Sequence, residues 1–451
     1  MAQCGAPAVL TQITAMHFRF LWGGVFLLGC LTLSAQTPLA DAAEVLRAAR
    51  QTIDTLTSAY LGGRGYVDQG HQRAAAYLSQ RFAELGLEPV GGTDRYEQAF
   101  PIRINLPTRA RVRLDDVPLE VGTDFIVDRY SGSGQVEAAK IKDLGYALDK
   151  IGRINDRVVL FRDGFPPEIA NDSEARQQYE QIARSDQRIE RLLPYQPAAI
   201  IVLQNKLTAG FTRQHYPLPV IDVQTDSLPR KPRRATLDIR SEITQVATQN
   251  LIGMLPGTTV PDSFVVVTAH YDHLGRYEHA IFTGANDNAS GIAMLLSMIA
   301  HFQAHPPRYS LLFIAFGGEE TGLLGSRYYV YEDPRVPLRR MRFLLNLDLM
   351  GNGDEGIMAV GGKDFAAPYD RLVALNDSLQ AVPKVRARKN APNSDHFFFL
   401  REGVPGFFVY TMGGPPHYHD VHDNAANLTL SRFAEVRELL IRLVETSGST
   451  P

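Results

Sequence analysis

A chain of 451 residues, 45% hydrophobic and 21% charged, is long enough for two domains with sizeable cores and has an ordinary globular composition. Its formal net charge of −3 gives no reason to expect a nucleic acid or an anionic membrane as partner. The two cysteines, Cys4 and Cys30, both lie near the N-terminus, so a metal site in the body of the chain must draw on His, Asp and Glu.

From Met16 the chain has a short basic start (His17, Arg19), an apolar run over 20–33 and small residues at Ser34-Ala35. This is the pattern of a secretory signal peptide over residues 1–36, too short for a comfortable transmembrane span. The expectation is export to the periplasm or the exterior. A retained anchor is one alternative, and a lipoprotein attachment at Cys30, within Leu27-Leu28-Gly29-Cys30, is another. Met16 competes with Met1 as the start.

Apolar residues at helical spacing predict helices over 42–56 and 72–85, separated by the break Gly62-Gly63-Arg64-Gly65, with an edge strand over 96–101. Residues 37–104 are read as the front of the main domain. The character then changes: short β-prone runs at 109–114, 134–141, 158–161, 198–203 and 218–223, with one charged and solvated helix over 173–193, predict a small β-rich domain inserted over 105–241. The basic turn 229–234 reads as a surface loop. Over 242–451 strands and helices alternate: strands at 265–268, 310–316, 343–347 and 406–410, helices at 292–302, 323–331 and 430–444. That alternation predicts an α/β fold, a mostly parallel central sheet with helices on both faces.

Polar clusters stand at the predicted strand ends, where α/β enzymes place their chemistry. They are His270-Tyr271-Asp272, Asp287 before a helix, Glu319-Glu320, Asp348, and the loop 413–424. On an alternating strand His270 and Asp272 point the same way, so the carboxylate can orient the imidazole. Taken singly, each of these groups reads more naturally as a cap, a loop partner or a solvated face. Together, His270, Asp287, Glu319, Glu320, Asp348 and His419 supply the carboxylates and imidazoles of a two-metal hydrolytic site, including a carboxylate left over as base.

The segments His270-Tyr271-Asp272-His273-Leu274-Gly275, Gly284-Ala285-Asn286-Asp287-Asn288-Ala289-Ser290-Gly291, Gly317-Gly318-Glu319-Glu320-Thr321-Gly322, Asn346-Leu347-Asp348 and Ser394-Asp395-His396 resemble the ordered motif set of metallopeptidase family 28. That family holds secreted bacterial zinc aminopeptidases and relatives of glutamate carboxypeptidase. The resemblance implies two zinc ions: Asp287 as bridge, His270 and Asp348 on one, Glu320 and His419 on the other. It further implies Glu319 as general base toward a metal-bridging water, Asp272 as partner of His270, and a cis peptide bond before Asn288. The stretch Pro416-His417-Tyr418-His419-Asp420-Val421-His422-Asp423-Asn424 offers three histidines; His419 with Asp423 fits the family register, Asn424 departs from the usual Thr, and His422 is an extra candidate. Asp395 and His396 are expected near the site without an assigned role, and His273 and His279 as loop residues. Residues 105–241 resemble a protease-associated domain.

The function implied is an exported dinuclear zinc exopeptidase acting on peptides, most naturally an aminopeptidase. The alternatives are a carboxy-directed peptidase of the same family, a single-zinc acyltransferase like glutaminyl cyclase, and a binding protein without activity. Oligomeric state is not readable from the chain.

Overall fold

The computed structural model describes residues 42–447, apart from 93, 147–150, 183 and 229–230. The signal-peptide reading and Cys4 and Cys30 lie outside the described residues, as does part of the basic turn 229–234. The predicted helices are found at Ala42–Leu56, Gly70–Glu84, Gly291–Ala304, Leu324–Tyr331 and Phe433–Ser447. Helices at Ala366–Leu379 and His396–Arg401 add to them.

The heart of the molecule is the strand Val260–His270, flanked by Tyr309–Phe316 and Met341–Leu347, all parallel. Gly406–Met412 extends this parallel set, Gly356–Val360 joins it antiparallel, and Arg234–Leu255 pairs antiparallel with Tyr309–Phe316 on the other side. Alternation along Phe264-Val265-Val266-Val267 sends side chains into two separate cores. Val265 and Val267 pack with the helices Ala42–Leu56, Gly291–Ala304 and Phe433–Ser447; Phe264 and Val266 pack with Tyr329, Val330, Phe399 and Leu400. A helix apolar nearly all round has to be buried, and Gly291–Ala304 buries Ile292, Met294, Leu295, Met298, Ile299 and Phe302. Burying both sheet faces in this way is the arrangement expected of a mostly parallel α/β sheet.

Three features differ from the sequence reading. The expected strands at 96–101 and 109–114 are one strand, Glu97–Leu114, paired along its length with Arg234–Leu255, so a long antiparallel ribbon crosses the expected boundaries at 105 and 241. Beyond the ribbon, Gly134–Asp143, Val158–Arg162, Ala199–Gln204 and Val220–Gln224 run parallel, which makes this region α/β in character. The charged segment expected as one solvated helix forms two, Ser173–Ile182 and Ser185–Leu192. The second is not wholly solvated: Arg188, Ile189 and Leu192 are buried, and the Arg188 guanidinium sits over the Phe161 ring and donates to the Arg162 carbonyl. A long basic side chain can lay its stem on apolar surface while its head finds carbonyls, which charge counting misses.

Candidate metal centre

The four parallel strands all deliver their carboxyl ends to one cleft. His270 closes Val260–His270, Glu319 and Glu320 follow Tyr309–Phe316, Asp348 follows Met341–Leu347, and His419 lies in the loop after Gly406–Met412. Asp287 comes from the turn before Gly291–Ala304, with a cis peptide bond to Asn288. Gly284 opens that turn at φ +57°, and a Cβ there would fall 2.0 Å from the Asp287 carbonyl oxygen, so only glycine fits.

Nε2 of His270 lies 3.3 Å from Asp287 Oδ1 and 3.4 Å from Asp348 Oδ1. Nε2 of His419 lies 3.0 Å from Asp287 Oδ2 and 3.2 Å from Glu320 Oε2. Asp287 therefore gives one oxygen to each of two imidazole and carboxylate sets. Each imidazole turns Nδ1 toward a backbone carbonyl, of Asp272 at 3.1 Å and of Ala209 at 2.9 Å. A proton on Nδ1 leaves Nε2 as the ligating nitrogen. The donor set fits a cation on a further observation: Asp348 Oδ1 is buried with no hydrogen-bond donor, although Ser394 serves the other oxygen at 2.9 Å. A buried carboxylate oxygen without a donor is costly unless a cation meets it.

The electrostatics agree. Burial works to lower both imidazoles, but Glu319 and Asp348 hold His270, and Glu320 and Asp287 hold His419, well above the usual range. Burial works to raise the ligand carboxyls; the contacts with His270 and His419 nevertheless keep Asp287 well below the carboxylate range, and the His419 charge brings Glu320 to about 2. The two ring protons stand where cations would neutralise the same oxygens. Glu319 differs: burial, with the neighbouring Glu320 and Asp395 charges outweighing the pull of His270, pushes it well above the usual range. The residue as a whole is only partly buried, and its carboxylate has no hydrogen-bond partner among the described residues. His270, Glu319 and Glu320 nonetheless hold donor atoms within 4.8 Å of one another.

Residues 250–444 match the model of peptidase family M28. That match places this region in the family, as a zinc metallopeptidase domain. It is 25% identical to aminopeptidase YwaD of Bacillus subtilis over 96% of this chain and 93% of that one. A probable zinc metalloprotease of Pyrenophora tritici-repentis is 35% identical over 23% of this chain and 24% of its own. Among solved structures, a zinc aminopeptidase from Bacillus subtilis superposes with a TM-score of 0.66 at 20% identity, over 88% of this chain and 93% of that one. A peptidase M28 precursor from Shewanella amazonensis gives 0.64 at 16% identity, over 91% and 96%. At these identities the two structures speak for the shared fold.

Around the candidate ligands the peptidase holds its loops with further side chains. Asp272 orients His270 through its backbone carbonyl; its carboxylate Oδ1 stands 3.9 Å from Nδ1, because it accepts the Glu319 N–H at 3.2 Å and, through Oδ2, the Tyr66 hydroxyl at 2.8 Å. The expected Asp272 carboxylate contact to His270 is thus replaced by one to the Glu319 backbone. His273, read from sequence as a loop residue, is buried with Nδ1 2.7 Å from Glu320 Oε1, and with Asp287 and Glu320 it forms a group able to hold an ion. Its Nδ1 is engaged with the carboxylate oxygen that His419 leaves free. Asp423 accepts the N–H groups of Asn286 at 2.8 Å and Asp287 at 3.0 Å, tying the His419 loop to the bridge. His422 is exposed, its ring 5.4 Å from that of His417. His279, exposed, pairs with Glu120.

Asp395 and His396 are both buried near the site, with no hydrogen-bond partner on either carboxylate oxygen or either ring nitrogen. Burial, against the opposing His270 charge, pushes Asp395 up to about 7, and burial pushes His396 down to about 3.

Arg64 is fully buried and donates to the carbonyls of Leu56, Tyr271, Thr283, Gly284 and Asp287. Burial lowers it to about 10 against the Asp287, Asp423 and Asp272 charges, so it stays a cation at neutral pH. Arg64→Met strands those carbonyls and removes a buried cation beside Asp287, Asp423 and Asp272; we expect a loss of about 3–5 kcal/mol in unfolding free energy. Denaturant titration checks it.

Proposed function

We propose that this chain is an exported dinuclear zinc aminopeptidase. The observation that supports two ions is the division of Asp287 between the His270 and His419 sets. In this reading Asp287 bridges, His270 and Asp348 complete one site, and Glu320 and His419 the other. The zinc pair, when bound, supplies Lewis-acid polarisation of the scissile carbonyl and an acidified water. Glu319 accepts the proton of the attacking water and returns it to the leaving amine; its freedom from hydrogen bonds among the described residues and its raised affinity for a proton suit that task. Asp272 positions Glu319 by holding its N–H, and His273 fixes Glu320 through the oxygen not offered to the metal.

Cleavage from the amino end is supported by YwaD, an aminopeptidase that this chain matches over nearly its whole length. Residues 105–241 are read as a protease-associated-like domain, and the peptide is the only partner the reading requires. Among the described residues no helix is long and apolar enough to cross a membrane. Export rests on the segment 1–36, with attachment at Cys30 as its variant.

Purified enzyme should release free amino acids from unblocked peptides and none from the same peptides N-acetylated. Equal release from both would move the reading to another specificity, and release from the carboxyl end to a carboxy-directed peptidase.

A further inference from the structure

The loop after the strand Ala199–Gln204 belongs to the inserted region, yet it lies on the segment that carries His419. The Ala209 N–H donates to the His419 carbonyl at 2.9 Å, and the Ala209 carbonyl receives His419 Nδ1 at 2.9 Å. Lys206 Nζ donates to the Tyr418 carbonyl at 2.9 Å and pairs with Asp420 at 3.5 Å, so one side chain grips both neighbours of His419. The Tyr418 ring stacks on the His419 ring at 3.9 Å and lies 5.9 Å from the same ammonium. One residue further on, Val421 packs on Gly122, where a Cβ would come within 2.8 Å of it. Four successive residues, 418–421, are thus held by the inserted region.

They need outside support. His419 has φ +56°, the left-handed region that a residue with a Cβ adopts only when its surroundings fix it. Its own loop supplies no acceptor for Nδ1. A metal-ligating imidazole depends on such a partner for tautomer and ring direction, and here the partner lies 210 residues away in sequence.

We propose that loop 205–211 is the positioning element for His419, so that the inserted region is a working part of the metal centre. Cation binding at the Asp287, Glu320 and His419 donors and docking of this loop are then one coupled equilibrium. The proposal rests on the metal-pair reading above. Coupling of this kind is reciprocal: a docked loop tightens the ion, and the ion tightens the loop. The His270 and Asp348 donors, carried wholly by the main sheet, lie outside it.

The test uses the full-length zinc-loaded protein, competitive chelator titration and peptide-level hydrogen exchange. Lys206→Met is expected to weaken one of two zinc ions about 10-fold and leave the other at wild-type affinity, and Lys206→Arg to restore most of the loss. Stripping zinc from the wild type should speed exchange in 205–211. A structural role alone would shift the melting temperature without separating the two ions and would not couple loop exchange to zinc. Wild-type affinities in Lys206→Met, or exchange in 205–211 indifferent to zinc, would overturn the proposal. If the wild type binds one ion only, the dinuclear reading fails, while the coupling is still read from that ion and the loop.

Discussion

Glu319→Gln is expected to lower kcat by about 10²–10⁴-fold, with the metal content unchanged and KM little altered. The amide keeps the shape of the carboxylate but cannot take the proton of the attacking water. Glu319 is suited to the role by contrast with its neighbour. Glu320 is engaged on both oxygens, by His273 at 2.7 Å and His419 at 3.2 Å, whereas no hydrogen bond among the described residues reaches the Glu319 carboxylate. Its backbone is pinned through the Asp272 carboxylate, so Asp272→Asn should also reduce kcat, by less. Steady-state kinetics beside elemental analysis of each variant separates loss of the base from loss of the metal. Near-normal turnover in Glu319→Gln would remove Glu319 from its assigned role.

Asp287→Ala is expected to empty both sites together and bring activity to background. Replacing a ligand of one ion alone, such as Asp348→Ala, should leave the other ion largely in place. The difference comes from the division of one carboxylate between two imidazoles, at 3.3 Å from His270 and 3.0 Å from His419. The loss of affinity should exceed the 10–100-fold, to order of magnitude, that follows from changing a partner of a ligand. Zinc retained at full stoichiometry in Asp287→Ala would mean that the carboxylate does not bridge.

Several of the residues that meet in the cleft were legible in the chain because each is a side chain of the right chemistry at the end of an apolar, strand-like run, unlike Asp287 in its turn and His419 in its loop. His270 after Val265-Val266-Val267 and Glu319-Glu320 after Leu312 to Phe316 are examples. What holds those side chains was not legible. Arg64 and Tyr66 come from the front segment, more than 200 residues from Tyr271 and Asp272, which they meet, and Arg64 acts on backbone carbonyls, which leave no mark in a sequence. The orientation of His270 by the Asp272 carbonyl is hidden in the same way: an HxD spacing gives the direction of the carboxylate but not the nearer acceptor behind it. His273 carried no signal beyond being one residue past Asp272, and only its burial against Glu320 distinguishes it from exposed His279. In the fold, strand-like stretches were found piecemeal where the ribbon of Glu97–Leu114 with Arg234–Leu255 is continuous. Its alternation of buried and exposed residues breaks in the middle, where 104–107 are all buried and 242–247 largely exposed, and composition alone reads that as a change of domain.

A pair of metal ions sharing Asp287 is the centre of the proposed chemistry, and zinc content per chain tests it most directly. Elemental analysis of the purified mature protein, after dialysis against zinc at micromolar concentration, is predicted to give two zinc ions per chain. A value of one, unchanged in Asp287→Ala, would contradict the bridging arrangement and the two-ion chemistry built on it.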